Sequence, residues 1–158
     1  MDMRVDSIPE VSRTETYRDD KRHAWLLYPV WLLAPVISIG LGLQTGHSAW
    51  FWLVPAYLFI GMPIIDMIIG SNTKNAPEAA VPRLEADPYY RYLTYCCVAL
   101  HYLALVVGAW AVGTQRLDWP AYAGVALSCG LISAYGIVTA HELGHKKGRL
   151  ERWLSASE

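Results

Sequence analysis

Four long apolar runs dictate what this chain can fold into, because each has about the length a helix needs to cross roughly 30 Å of hydrocarbon. They cover residues 24–43, 49–70, 92–113 and 119–140. The first, third and fourth contain no Lys, Arg, Asp or Glu, and the second contains only Asp66. Buried helices of water-soluble domains rarely stay free of charge for so long. An apolar content of 54% with 7 Trp and 10 Tyr points the same way. The fold class expected is an all-α membrane protein of four transmembrane helices in two hairpins. The chain divides into a polar tail 1–23, a membrane domain 24–140, and an extension 141–158 that prolongs the fourth helix.

Charge then sets the orientation. Of the 13 Lys and Arg, only Arg116 lies in a connection on the far side from the N-terminus. Such a bias is the positive-inside pattern, so the N-terminus and the C-terminus are both expected in the cytoplasm of a multi-pass protein. The polar start lacks the short apolar run of a cleavable signal, and insertion is expected to rely on the spans themselves. A formal net charge of -1 gives no reason to expect nucleic acid. Cys96, Cys97 and Cys129 all sit within apolar runs and show no CxxC spacing, so they read as small buried hydrophobes. Gly124 with Ser128, Cys129 with Ser133, and Gly136 with Ala140 repeat at four-residue spacing, which favours close helix approach in lipid. The inner connection 71–91 mixes prolines with paired charges and predicts a short helix near residues 79–86.

The chemistry concentrates where the fourth run ends. HELGHKK follows it directly, so His141 and His145 stand one helical turn apart on one face, and both imidazoles can reach one metal ion. Glu142 points about 100° away around the helix and suits an acid, a base or a group orienting a ring N–H. The same residues satisfy H-E-x-x-H, in which a zinc protease uses the glutamate to activate water. A metal-free helix end also fits these few positions. The flanking Lys146, Lys147, Arg149 and Arg152 put the histidines at the membrane surface, which disfavours an intramembrane protease. Asp66 lies about 6 Å below the same interface and is a candidate supporting group, the alternative being a carboxylate reaching interfacial water. His101, about 14 Å deep in the third run, is a second such candidate, with an interhelical hydrogen bond as the simpler role.

Taken together, DDKRHAWLLYPVW at 19–31, NAPEAAVPRLEADPYYRYLTY at 75–95, LHYLAL around His101 and HELGHKKGRLERW at 141–153 resemble the integral-membrane alkane hydroxylases. That resemblance implies a helical bundle like those of the fatty-acid desaturases and hydroxylases, here incomplete, in a bacterial inner membrane. It implies a non-haem di-iron centre with His141 and His145 among its ligands. It further implies alkane and O2 as substrates, a primary alcohol as product, and a rubredoxin-type electron donor served by its own reductase. A membrane zinc metalloprotease, or a related desaturase or aromatic-methyl hydroxylase, is the alternative. Two imidazoles cannot hold two irons, so the remaining boxes and spans are expected beyond Glu158, and this fragment is expected to be inactive alone.

Overall fold

The computed structural model describes residues 17–70, 76–145 and 148–157, and every regular element among them is helical. Expectations that fall on residues 1–16, 71–75, 146–147 and 158 lie outside the described residues. The first membrane-length segment is α1, Ala24–Leu32, and α2, Ala34–Thr45, which meet at 45°. The bend follows from Pro35, whose ring has no N–H to give and crowds the carbonyl one turn earlier. At the break, Leu33 donates to Val30 O at 3.1 Å, a tightened three-residue turn. The other three segments are α3, Ser48–Ile69, α5, Pro88–Thr114, and α6, Trp119–Gly144. The chain is therefore an all-α membrane protein. Between α3 and α5, a 3-10 turn at Glu78–Ala80 leads into the short helix α4, Val81–Ala86, where the sequence predicted one.

Each hairpin is closed by local chemistry. Gly46 adopts φ 71°, a left-handed cap that L side chains disfavour, and its N–H returns to Gly42 O at 2.9 Å. Asp87 caps α5 by accepting the Tyr89 N–H at 2.9 Å, with Pro88 in the first turn. Asp118 caps α6 by accepting the Ala121 N–H at 3.0 Å, and its other oxygen accepts from Ser48 Oγ at 2.6 Å. Those bonds, the Ser48 one first, hold the Asp118 carboxyl below its usual range and tie the two hairpins together at one end.

Close packing surrounds Phe51. Its ring lies where a Cβ on Gly42 would come within 2.5 Å, and its backbone lies 2.9 Å from where a Cβ on Gly124 would stand. The first residues of α3 form a 3-10 turn, Ser48–Trp52, that leaves carbonyls needing donors. Ser38 Oγ donates to Trp50 O at 2.6 Å and Ser128 Oγ donates to Phe51 O at 3.0 Å, so α2 and α6 supply the missing bonds. Ile39, Ala111, Ala121 and Val125 complete this cluster. A second cluster of Leu32, Val54, Cys97, Ala104 and Ile132 lies nearer the other end, beside the Trp31–Tyr57 ring contact at 4.1 Å. Within α3 a π turn, Tyr57–Gly61, precedes Pro63, consistent with a ring that displaces the preceding carbonyls. From that turn onward α3 is largely uncovered: Phe59, Ile60, Met67, Ile68 and Ile69 are all exposed.

Candidate metal centre

The last turn of α6 carries the histidines. Leu143 is buried and pins that turn against the bundle, which leaves His141 and His145 exposed on the opposite side. The α-helix ends at Gly144 with His145 as its cap, and a separate helix α7, Arg149–Ser157, follows, where the sequence reading carries one rod onward. Glycine at 144 eases the close approach of α7, because Ser155 Oγ lies 3.1 Å from where a Cβ there would stand. Ser155 Oγ donates to Ala140 O at 2.8 Å, so α7 folds back against α6.

The two rings meet edge to face, with centroids 4.6 Å apart and planes at 87°. Their Nε2 atoms approach to 3.2 Å. With one proton between them that contact is an N–H···N hydrogen bond whose donor depends on the tautomer. With both neutral and both lone pairs turned inward, it is a chelate: at about 2.1 Å per metal–nitrogen bond, 3.2 Å subtends roughly 100° at a shared ion. That angle lies between octahedral and tetrahedral values, so the pair fits two adjacent positions of one metal. Among the described residues no group of three or more His, Cys, Asp or Glu is placed to share an ion. Glu142 is exposed beside the pair, and Asp66 is exposed among the uncovered residues of α3. His101 is buried and lines a cavity of about 100 Å³ with Cys129, Ile132, Ser133 and Gly136.

The structure adds two features that no motif flagged. The first joins two segments that carried the family resemblance. Arg22 meets Asp87 at 2.6 Å and stacks 4.3 Å from the Tyr89 ring centroid, while Tyr89 Oη donates to Arg22 O at 2.6 Å. Asp19 accepts from Tyr90 Oη, from the Lys21 N–H at 2.9 Å and from Trp25 Nε1 at 3.2 Å. The Arg22 guanidinium holds the Asp87 carboxyl below its ordinary range, and Asp87 in turn raises Arg22. For Asp19, burial pushes the carboxyl up, but the bonds from Tyr90, Lys21 and Trp25 outweigh it and the net shift is downward. This clasp fixes the start of α1 to the start of α5. The usable signal was the opposite charges at the ends of two neighbouring spans. The second feature is Glu151, which is buried although it sits among exposed basic residues.

No family model matches the chain. Curated relatives do match. It is 43% identical over 141 residues to alkane 1-monooxygenase 1 of Alcanivorax borkumensis, covering 89% of this chain and 35% of that protein. It is 40% identical over 151 residues to alkane 1-monooxygenase of Ectopseudomonas oleovorans, and equally so to that of Pseudomonas putida, in each case over 96% of this chain and 36% of the relative. The chain spans about a third of the length of the curated relatives it matches, and over that third it is a homologue of the alkane 1-monooxygenases.

Proposed function

We propose that this chain is the N-terminal part of a multi-pass hydroxylase of a bacterial inner membrane, which converts medium or long alkanes to primary alcohols with O2. The observation that carries the reading is the convergence of His141 and His145 Nε2 to 3.2 Å at the end of a membrane helix, in a chain homologous to alkane 1-monooxygenases. Both imidazoles then serve as neutral ligands to iron, with the other ligands of a di-iron centre coming from elsewhere in the protein. When bound, iron supplies the reduction of O2 and the insertion of one oxygen atom into the terminal C–H bond, using two electrons from a rubredoxin-type donor and its reductase.

The chain's own residues do the rest. Leu143, anchored in the bundle, sets the direction of the turn from which both rings project. Glu142, exposed one position beyond His141, is suited to receive a proton on its carboxylate beside the pair and pass it on. The apolar spans, which carry no charge other than Asp66, offer an alkane a route from the lipid. The bias of twelve of the 13 cationic residues to one side supports a cytoplasmic histidine end, which a soluble electron donor can reach.

The test uses the full-length gene product in bacterial membranes. Wild-type protein is expected to retain iron and to oxidise a medium-chain n-alkane, and His141→Ala or His145→Ala to lose both. Retention of iron and alcohol formation in the two variants would overturn the reading. So would zinc in place of iron in the wild type.

A further inference from the structure

We infer that Glu151 is a positioning residue for the histidine pair, acting by bolting the segment that follows the pair onto α5. This rests on the ligand reading of His141 and His145. Glu151 is 4% exposed, rare for a carboxylate unless its partners are worth the desolvation. It accepts from Tyr95 Oη at 2.8 Å and faces Arg91 Nε at 3.3 Å, both on the same oxygen. Arg91 and Tyr95 are one turn apart on α5, so they form a two-pronged receptor on one helix face.

The connection to the histidines is short. Five residues lie between His145 and Glu151. Within that stretch, Gly148 packs directly against the Glu151 carboxylate, so that a side chain there would have to displace it. Beyond Glu151, the Ser155 bond to Ala140 O grips the residue just before His141. Tyr102 Oη donates to Ser157 O and secures the end of α7 to α5. The histidine-bearing turn is thus held from both sides: Ala140 through Ser155, and the exit after His145 through Glu151. With the carboxylate removed, α7 loses its link to Arg91 and Tyr95, and the approach of the two Nε2 atoms is no longer fixed. Groups that orient metal ligands from behind typically change metal affinity by roughly 10- to 100-fold.

The probe is cobalt(II) added to the full-length gene product purified without metal, with affinity and the visible d–d spectrum as readouts. Glu151→Ala is expected to weaken cobalt binding about 10-fold or more and to shift the bands. Glu151→Gln still accepts from Tyr95 and is expected to fall between that variant and wild type. A purely structural role would lower the folded fraction while leaving the spectrum and affinity of the folded protein unchanged, and that result overturns the inference. Should Glu151→Ala fail to fold, Tyr95→Phe decides: a weaker, same-direction change supports the inference and wild-type behaviour overturns it. His141→Ala separates the two claims. If it loads cobalt like wild type, the ligand reading fails and this inference falls with it. If it loses cobalt while Glu151→Ala does not, only the positioning role fails.

Discussion

Replacing Gly124 by alanine tests the packing at the centre of the bundle. A Cβ there would stand 2.9 Å from the carbonyl carbon, the carbonyl oxygen and the Cβ of Phe51, against the 3.5 to 4.0 Å or so at which such atoms attract. Two of those atoms are backbone, and the turn holding them is fixed by Ser128 and Ser38, so no rotamer change relieves the clash. Helices α3 and α6 must separate by about half an ångström or more. Overpacking of this kind costs roughly 1 to 3 kcal/mol. Alanine recovers about 0.5 to 1 kcal/mol of helix preference over glycine, which leaves a net loss of roughly 0 to 2.5 kcal/mol, centred a little above 1. Gly130, on the exposed side of the same helix with nothing within 4 Å, supplies the control. Gly130→Ala is expected to be neutral or up to about 1 kcal/mol stabilising. Unfolding in mixed micelles by added SDS, followed through tryptophan fluorescence, measures the difference. Gly124→Ala unfolding at the same SDS fraction as Gly130→Ala would refute the argument. Gly108 sharpens the comparison, because there the obstacle is the Cys129 side chain, and Cys129→Ala is expected to rescue Gly108→Ala while no side-chain deletion rescues Gly124→Ala.

The other expectations are simpler. Ser128→Ala removes the donor to Phe51 O and is expected to cost about 0.6 kcal/mol in the same unfolding assay, with an unchanged midpoint counting against it. Asp87 has its carboxyl lowered from 3.8 by Arg22, so its stabilisation is present above the unfolded value and is lost as pH falls below it. Asp87→Asn is therefore expected to unfold earlier at neutral pH and to lose less on acidification to about pH 2, which a pH series of unfolding midpoints checks. The 158-residue polypeptide expressed alone is expected neither to keep two irons per chain nor to hydroxylate alkane, as metal analysis and product assay will show.

Hydropathy made the spans legible because lipid imposes a length and a lack of charge that the sequence must print directly. The small-residue spacing in α6 was legible as packing, and Gly124 with Ser128 indeed faces Phe51. What sat on Phe51 was not, since spacing marks which face of a helix is thin but not which neighbour fills it. The histidine pair was legible because i and i+4 is a local relation. The helix end at Gly144 and the fold-back of α7, with Ser155 on Ala140 O, lie beyond that local relation. Glu151 was invisible for the same reason. In sequence it is one charge among Lys147, Arg149 and Arg152, and only its pairing with Arg91 and Tyr95 across the fold makes it a buried group.

The packing is uneven along the spans, and the unevenness follows the chemistry. At the end that holds Gly46 and Asp118, all four spans lock together through Phe51, the two serines and the Ser48–Asp118 bond, which is a scaffold with few moving parts. Across its apolar window α3 is only 11% buried while α5 and α6 reach 33%, and toward the opposite end residues 63–69 of α3, Asp66 among them, are all exposed. The histidine pair stands at this same open end. On the proposed ligand role, this arrangement supplies anchors at a distance that hold the histidine-bearing turn and free surface around the pair where further donors can approach. The clasp of Arg22 on Asp87 and the bolt of Glu151 on α5 lie at that open end, where the spans contribute least burial of their own. Polar contacts there substitute for the packing that the other end derives from apolar side chains.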